Sequence, residues 1–215
     1  MKTLILADNQ AIAKEGIRSI SAGMGVFHIC EHETTDIHTL IEELLHYPDA
    51  VCIIDYTLFD CTAEQFLVAK KRFPEAYFIL FSDNLNETFV RSMVFSGECF
   101  SIIFKDAELK EITACLKNAS EGKQYISERA KAYLQNKNED RKDNVQPLTA
   151  TEKEILRALA LGKSTKDIAS ERFISIHTAI THRKNIFRKL NVNNLNEAVR
   201  YAIRAGIVDI TEYYI

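Results

Sequence analysis

The sequence predicts two domains: an α/β domain built on a five-stranded, parallel, doubly wound sheet, and after it a small all-α domain of four helices. Three observations support this prediction. Residues 1–122 alternate short apolar runs with helical patterns, which is typical of an open parallel sheet with right-handed crossovers. Residues 136–147 are almost wholly polar, so they can bury little surface and are interpreted as a linker. From Leu148 onward the apolar residues recur at helical spacing.

The strands of the first domain are predicted from short apolar runs. Four of the five runs are nearly continuous, as expected where helices cover both faces of a sheet. The predicted strands are Thr3–Ala7, Val26–Glu31, Ala50–Asp55, Tyr77–Phe81 and Phe100–Phe104. The helices that alternate with them are predicted at Ala11–Ser21, Asp36–His46, Thr62–Phe73, Leu85–Ser96 and Glu108–Asn118.

The second domain is predicted from helix start and stop signals. Thr149 and Glu152 have the spacing of a capping box, and Gly162 ends the helix that they begin. A helix around Ser127–Leu134 precedes the linker, and three more helices follow Gly162, at Thr165–Arg172, from Ser175 to Leu190, and from Asn194 to about Gly206. The predicted boundaries are 1–122 for the first domain, 123–147 for the helix and polar linker, and 148–215 for the second domain.

Composition and charge narrow the class of protein. The chain has 215 residues, 47% hydrophobic and 27% charged, an ordinary globular mixture. No apolar run reaches the roughly 18 residues needed to cross a bilayer, and the short apolar start ends in Asp8, which favours a strand over a signal peptide. From Leu148 onward there are eleven Lys and Arg against seven Asp and Glu, a net charge of +4, whereas the preceding residues carry −7. This asymmetry predicts different partners for the two domains.

The cysteines indicate a reducing compartment. Five are present, at positions 30, 52, 61, 99 and 115, and no C-x-x-C pair occurs. An odd number at wide spacing favours neither a disulfide framework nor a zinc site. The sequence therefore predicts small buried thiols in a cytoplasmic protein.

Polar side chains follow four of the predicted strands. Asp8, Asp55, Ser82 and Lys105 each come at the end of an apolar run, and ligands of open parallel sheets bind at the carboxyl ends of the strands. Two carboxylates there would take up Mg²⁺. Asp55, central in the sheet, could act as a nucleophile on a phosphoryl group, with Lys105 and the metal neutralising charge and Ser82 donating a hydrogen bond.

This arrangement resembles the receiver domain of response regulators over about residues 1–120. The resemblance implies that Asp55 is the phosphoacceptor, that Ser82 is the switch hydroxyl and that Lys105 holds the phosphoryl group. It also implies a Mg²⁺ site formed by Asp8, Asp55 and the backbone carbonyl of Thr57.

Four residues depart from the receiver pattern. Asn9 replaces a second acid, so we expect weaker Mg²⁺ binding. Asp83 follows Ser82 where a small residue is usual, so we expect it to repel an anionic phosphodonor. Ile102 stands where the family has an aromatic switch residue, which puts the coupling between hydroxyl and aromatic in question. Asp106 follows Lys105 where many relatives have proline.

The third helix of the second domain carries a basic face. His177, His182, Arg183, Lys184, Arg188 and Lys189 lie between Ile176 and Leu190 with no acid among them, which suits the neutralisation of phosphates. With the short helix before it, which would pack inward through Ile168 and Ala169, this helix follows the helix-turn-helix plan. The residues predicted to be buried are Ile176, Ala179, Ile186, Phe187 and Leu190.

The segment resembles the LuxR-type helix-turn-helix over about 65 residues. Residues near the start of the second helix reach base edges in this geometry, which predicts base contacts for Ile180, Thr181 and Lys184. Contacts to phosphates are expected from Thr178, His182, Arg183 and Arg188. In relatives the last helix forms a dimer contact, and here Ala198, Tyr201, Ala202 and Ala205 could form such a face or could pack on their own domain.

Together the two resemblances predict a NarL/FixJ-type two-component response regulator. The expected function is sequence-specific DNA binding and transcription regulation controlled by phosphorylation of Asp55, and not enzymatic turnover. The expected partners are double-stranded DNA, a sensor histidine kinase and a second copy of the chain, at least in the active state, with no membrane.

Two other functions stay open from the sequence. The first is a phosphorylation-independent DNA-binding regulator whose atypical receiver serves only for dimerisation, which Asn9, Asp83 and Ile102 favour. The second is a phosphatase built on an aspartate nucleophile. That chemistry usually requires a second acid two residues after the first, and Thr57 occupies this position.

Overall fold

The computed structural model describes residues 1–59, 61–83, 85–135 and 146–208. The chain divides into two compact units, Met1–Lys137 and Asn138–Ile215. Of the predicted linker, Asn136–Val145 lies outside the described residues. The predicted domain boundaries at residues 122 and 147 stay predictions. Among the described helices, none combines the length and apolar character needed to cross a membrane.

The first unit is built on a parallel sheet. Its described strands are β1 (Lys2–Ala7), β2 (Phe27–Ile29), β3 (Val51–Ile54), β4 (Tyr77–Ser82) and β5 (Phe100–Phe104), in the order β2-β1-β3-β4-β5. The alternating helices are α1 (Ala11–Met24), α2 (Ile37–His46), α3 (Ala63–Arg72), α4 (Glu87–Val94) and α5 (Leu109–Ser120). The predicted five-stranded parallel sheet is confirmed, and β2 is shorter than predicted.

Apolar clusters lie on both faces of this sheet. One joins strand residues such as Ile54 and Phe78 to α2, α3 and α4. The other joins Leu4 and Ile53 to α1 and α5. Successive side chains of a strand point to opposite faces, so nearly continuous apolar strands supply both clusters. The sheet is therefore doubly wound, as predicted.

A further helix, α6 (Glu128–Gln135), covers one edge of the sheet. The N–H of Ile102 donates to the carbonyl of Tyr125, and the N–H of Ser127 donates to the carbonyl of Ile102, each at 2.9 Å. These bonds satisfy part of the open edge of β5. The helix then packs on α4 and β5, with the ring of Tyr133 edge-on to Phe104. The helical pattern of this segment does not by itself predict that it packs on α4 and β5.

The second unit is all-α in its described part. Its helices are α7 (Ala150–Ala160), α8 (Thr165–Glu171), α9 (Ile176–Leu190) and α10 (Leu195–Arg204). Thr149 and Glu152 form the predicted capping box at α7, and Ser175 caps α9 as predicted. Apolar residues of all four helices share one core, which includes Ile155, Ile168, Phe187 and Ala198. The predicted four-helix domain is confirmed.

Candidate phosphorylation site and nucleic-acid interface

The carboxyl ends of four strands bring the predicted polar residues to one edge of the sheet. Asp8, Asp55 and Lys105 directly follow β1, β3 and β5, and Ser82 ends β4. The strand pairing continues through them. The N–H of Asp55 donates to the carbonyl of Ala7 at 3.0 Å, and the N–H of Lys105 donates to the carbonyl of Ser82 at 3.1 Å. The backbone hydrogen bonds of the sheet therefore fix the Cα positions of these residues at one edge.

The ammonium group of Lys105 lies between two carboxylates. Its Nζ donates to Oδ2 of Asp8, to Oδ2 of Asp55 at 2.7 Å and to Oε1 of Gln10 at 2.8 Å. Burial by itself lowers the pKa of Lys105, but the charges of Asp55 and Asp8 and the hydrogen bonds to them outweigh burial and raise it. Burial raises the pKa of Asp8, with the charge of Asp55 adding to the effect and Lys105 opposing it.

Asp55 is fully enclosed in this arrangement, with 0% of its surface exposed. Its Oδ1 accepts hydrogen bonds from the Thr57 hydroxyl at 2.6 Å and from the Thr57 N–H at 3.2 Å. Its Oδ2 accepts from Lys105. Both oxygens therefore have hydrogen-bond partners within the protein, and a phosphoryl donor could reach the carboxylate only after this enclosure opens.

The donor set fits a hard divalent cation. Asp8 and Asp55 supply carboxylate oxygens, the ligands that Mg²⁺ prefers, and Lys105 already places one positive charge between them. Asn9 points elsewhere, since its Nδ2 donates to the carbonyl of Leu58 at 3.2 Å. For Thr57 the structure gives the side-chain contact to Asp55, and its ligation through the carbonyl stays a prediction.

Ser82 is buried and connected to α4 through Tyr56. The Ser82 Oγ accepts a hydrogen bond from the N–H of Tyr56 at 3.0 Å. The ring of Tyr56 stacks on Phe89 of α4, with ring centroids 4.2 Å apart and planes 24° from parallel. Ile102 is buried in the core that contains Phe89. An aromatic contact to α4 is thus present beside Asp55, and it comes from the turn after β3 and not from position 102 of β5, where the family pattern places an aromatic residue.

Two residues of this site were missed by the sequence analysis. Gln10 contacts Lys105, and its place two residues after Asp8 in the same strand-end loop was a usable signal. Tyr56 follows Asp55 directly, but nothing in the sequence pairs it with Phe89. Of the other departures, Asp83 is exposed, and Asp106 forms an ion pair with Arg129 of α6 at 3.2 Å.

Helix α9 presents some of its predicted DNA-binding residues on its surface. Thr178, Thr181 and Arg188 are exposed, and His182 and Lys184 are half-buried. The Thr181 hydroxyl donates back to the carbonyl of His177 at 2.9 Å. At the end of the helix, Lys189 pairs with Glu152 of α7 at 2.6 Å, so this cation is neutralised within the unit.

The structure corrects three expectations for α9. Ile180 and Arg183 were predicted to face DNA, but they are only 7% and 5% exposed. Both lie on the helix face of Ile186 and Phe187, because residues three, four and seven apart share one side of a helix. The Arg183 guanidinium lies over the Phe187 ring, 5.2 Å from its centroid, and donates to the Thr165 hydroxyl at 3.4 Å. These two side chains therefore belong to the domain core.

Ile176 shows the opposite error. It was predicted to be buried, but it is 50% exposed. It is the first residue of α9, and helical side chains lean toward the N-terminus, so this one points past the packed part of the helix. The exposed apolar side chain at the start of α9 is thus Ile176, and not Ile180.

Two of the four residues that could form a dimer face at α10 pack instead on their own domain. Ala198 and Ala202 are fully buried in the core of the second unit, so they pack on their own domain. Tyr201 is half-buried and Ala205 is exposed, and these two stay available for a contact with a second copy.

Known proteins resemble both units. The family model GerE, described as bacterial regulatory proteins of the luxR family, matches residues 146–202. The transcriptional regulatory protein MctR of Rhizobium johnstonii is 31% identical over 140 residues, which are 65% of this chain and 64% of MctR. The oxygen regulatory protein NreC of Staphylococcus epidermidis is 25% identical over 219 residues, covering 96% of this chain and 99% of NreC.

A solved structure has the same fold. RcsB from Salmonella enterica serovar Typhimurium, bound to promoter rprA in the presence of the phosphomimetic BeF3−, matches with a TM-score of 0.55 and 23% identity over 94% of this chain and 98% of that chain. The likeness to NreC runs through both units, and the luxR-family match falls on the second. Residues 146–202 therefore carry a luxR-family domain, and the chain is similar along its length to response regulators of the NarL/FixJ type.

Proposed function

We propose that this chain is a cytoplasmic two-component response regulator, which binds DNA sequence-specifically and regulates transcription under the control of phosphorylation at Asp55. The observation that carries the proposal is the meeting of Asp8, Asp55 and Lys105 at one edge of a parallel sheet. The partners would be a sensor histidine kinase, double-stranded DNA and a second copy of the chain in the active state. The chain is a regulator and not an enzyme with turnover.

In the proposed phosphorylation, an oxygen of Asp55 forms a bond to phosphorus as the bond to the donor's leaving group breaks. Lys105 would then neutralise an oxygen of the new phosphoryl group, and the Ser82 hydroxyl would donate a hydrogen bond to another. A bound Mg²⁺ would supply further neutralisation of the phosphoryl oxygens, held by Asp8, Asp55 and the Thr57 carbonyl.

Lys105 and Thr57 are the groups that must move for this chemistry. Lys105 occupies the space between the carboxylates, so it has to withdraw toward the incoming phosphoryl group when a divalent cation enters. The Thr57 hydroxyl holds the other Asp55 oxygen at 2.6 Å. Phosphorylation thus replaces a closed set of internal contacts with a new one, which is a condition for a two-state switch.

The contact between Ser82 and Tyr56 offers a route from this switch to α6. When the Ser82 hydroxyl turns to the phosphoryl group, the Tyr56 N–H loses its partner. The Tyr56 ring rests on Phe89 of α4, and α4 packs on α6, the last helix before the second unit. The chemical change would therefore reach the chain segment that leads to the DNA-binding domain.

DNA recognition is proposed for the exposed side of α9. Lys184 and Thr181 are the candidates for base edges, and Thr178, His182 and Arg188 for phosphates. The RcsB structure contains promoter DNA, which makes the corresponding face of this chain the first to test. Because a single small domain binds weakly, a dimer reading two half-sites would supply affinity and spacing.

The decisive experiment is phosphorylation by acetyl phosphate with Mg²⁺, followed by intact-mass measurement. The wild type should gain one phosphoryl group, and Asp55→Asn should gain none. Asp83→Asn, which changes an exposed acid at the same edge, is the matched control and should still be modified. A phosphoryl group that persists on Asp55→Asn would contradict the assignment.

A second candidate is a phosphorylation-independent regulator whose receiver only dimerises. The complete burial of Asp55 and the occupation of both its oxygens favour it. Under this alternative the wild type takes up no phosphoryl group, and Asp55→Asn leaves both dimerisation and DNA binding unchanged. Sedimentation velocity and titration with duplexes selected from a random pool would measure these two properties.

A further inference from the structure

Three potential metal ligands meet beside the carboxyl end of the edge strand β2, between this strand and α2. The Sγ of Cys30 lies 3.1 Å from Oε2 of Glu43, and Nδ1 of His32 lies 2.8 Å from Oε1 of the same carboxylate. All three ligand atoms lie within 4.8 Å of one another. None of these residues takes part in the proposed phosphorylation site.

The backbone holds two of the three ligands firmly in place. Cys30 directly follows β2, and its N–H donates to the carbonyl of Leu4 in β1 at 2.9 Å, so the sheet positions it. Glu43 lies in α2, on the face that packs against the sheet. His32 is in the loop between these elements and is exposed. The arrangement has two fixed ligands and one adjustable ligand on the solvent side.

The charge of the cluster also favours a cation. Glu43 is only 8% exposed, and the partners described here are a thiol and an imidazole, which carries a full positive charge only when protonated. A buried carboxylate is stable only when its charge is compensated. In the same loop, the hydroxyl of Thr34 is buried with no hydrogen-bond partner among the described residues, so the polar groups here are incompletely satisfied.

We propose that Cys30, His32 and Glu43 form a binding site for a divalent transition-metal ion, with Zn²⁺ as the best match. A thiolate, an imidazole and a carboxylate are the ligand types that Zn²⁺ takes in proteins, whereas Mg²⁺ and Ca²⁺ prefer oxygen ligands alone. Three protein ligands leave a fourth position for water on the exposed side. On binding, the Cys30 thiol, which donates a hydrogen bond to Glu43, releases its proton to solvent, and the resulting thiolate bonds to the metal.

The bound ion would fasten the loop after β2 to α2. It would join the edge strand, the loop and the helix at one point, and metal bound only by the folded state stabilises that state. The sequence analysis found no zinc site because the usual signal is a pair of closely spaced cysteines. Here the spacing is Cys-x-His in a loop and a glutamate eleven residues after the histidine.

The test is metal titration of the full chain without a polyhistidine tag, in excess Mg²⁺ to fill the oxygen site at Asp8 and Asp55. Co²⁺ should produce a thiolate-to-cobalt charge-transfer absorption at one equivalent, and Zn²⁺ should abolish it. Zn²⁺ affinity is then measured by competition with a chromophoric chelator. Cys30→Ser, His32→Gln and Glu43→Gln should each weaken it at least about tenfold, since loss of groups behind the ligands alone typically has that effect.

Matched controls separate the cluster from other thiols and imidazoles. Cys99→Ser removes an exposed thiol and His38→Gln an exposed imidazole of α2, and both should bind like the wild type. Asp55→Asn should also keep the site, so failure of the proposed phosphorylation would leave this result intact. Since His32 is exposed, His32→Gln tests the site without risk to folding. Absence of the charge-transfer band, or equal affinity in His32→Gln and wild type, would overturn the proposal.

Discussion

At the scale of single residues, Lys105 holds the acidic edge of the sheet together. Its ammonium bridges Asp8 and Asp55, and their negative charges keep its pKa raised. Removing the cationic partner of a buried carboxylate is strongly destabilising. Lys105 therefore has a structural role before any phosphoryl group arrives.

Replacing Lys105 by alanine should lower the free energy of unfolding by about 3 kcal/mol in the absence of Mg²⁺. Adding Mg²⁺ should restore more stability to Lys105→Ala than to the wild type, because the metal no longer competes with the ammonium. Urea denaturation with and without Mg²⁺ measures both effects. The exposed Lys110, replaced by alanine, is the control, and an equal Mg²⁺ response in all three proteins would refute this account.

The residues of α9 should separate into two classes by their effect on DNA binding. Lys184→Ala should cost about 1–3 kcal/mol of binding free energy and relax one base position. Arg188→Ala should weaken binding to every sequence and lower the salt slope by about one. Titrations at several salt concentrations distinguish the two.

Arg183 is the internal control for this assignment. Because its side chain is buried over Phe187, Arg183→Ala should lower the thermal stability of the second unit and leave the salt slope unchanged. A drop in salt slope with unchanged stability would return Arg183 to the DNA-facing surface.

At the scale of helices, the start of α7 and the end of α9 are joined by one carboxylate. Glu152 closes the capping box with Thr149 and pairs with Lys189 at 2.6 Å. Burial by itself raises the pKa of Glu152, but hydrogen bonds from Lys189 and Thr149 outweigh it and lower the pKa below 4.5. The ionised carboxylate thus stabilises the folded state.

This interaction predicts a dependence of stability on pH. The pKa of Glu152 is lower in the folded state than its ordinary value. The ionised carboxylate therefore contributes its full stabilisation above that ordinary pKa, and this stabilisation is lost as the pH falls through the folded-state pKa. At neutral pH, Glu152→Gln should destabilise the second unit by about 1–2 kcal/mol. The difference between wild type and variant should shrink at acidic pH, as followed by thermal unfolding. The exposed Glu154, changed to glutamine, gives the comparison, and a difference that grows on acidification would be incompatible with the assignment.

At the scale of the whole molecule, the proposed phosphorylation would have to reach the second unit through elements of the first. Asp55 is enclosed, so its modification would disturb neighbours that are already packed. The stack of Tyr56 on Phe89 and the packing of α4 on α6 connect that disturbance to the end of the first unit. We expect the pair formed by Tyr56 and Phe89 of α4 to take the part of the aromatic residue that position 102 lacks.

Phe89→Leu should uncouple modification from output. The variant should accept a phosphoryl group from acetyl phosphate at the wild-type level, but the gain in DNA affinity on phosphorylation should fall by about tenfold, the size of a typical coupling energy. Phe100→Leu removes a ring of the same core that stacks on Phe66 instead, and it should retain the gain. The relay is wrong if both variants respond alike.

Much of this protein follows from local patterns. The apolar runs and helical periods identify the elements and the order in which they occur, because an element that is buried on one or two faces has apolar residues at regular spacing. The strand-end positions of Asp8, Asp55, Ser82 and Lys105 follow from the parallel topology, because parallel strands end at the same edge. The family resemblance adds their roles.

The contacts between side chains of distant segments could not be predicted from local sequence patterns. Helical spacing does not determine which of Ile176, Ile180 and Arg183 is covered, because that depends on where the neighbouring helices end. Likewise, Cys30 and Glu43 are thirteen residues apart and no periodicity relates them.

By itself, the sequence determined the two-domain architecture, the edge of the sheet at which Asp8, Asp55, Ser82 and Lys105 lie, and the basic character of α9, since each is encoded by spacing along one segment. Only the tertiary structure decided that Asp55 is closed by Thr57 and Lys105, that Tyr56 rests on α4, and that a thiol, an imidazole and a carboxylate meet beside β2. These are contacts between distant segments, and packing selects them among many arrangements that the same local patterns allow.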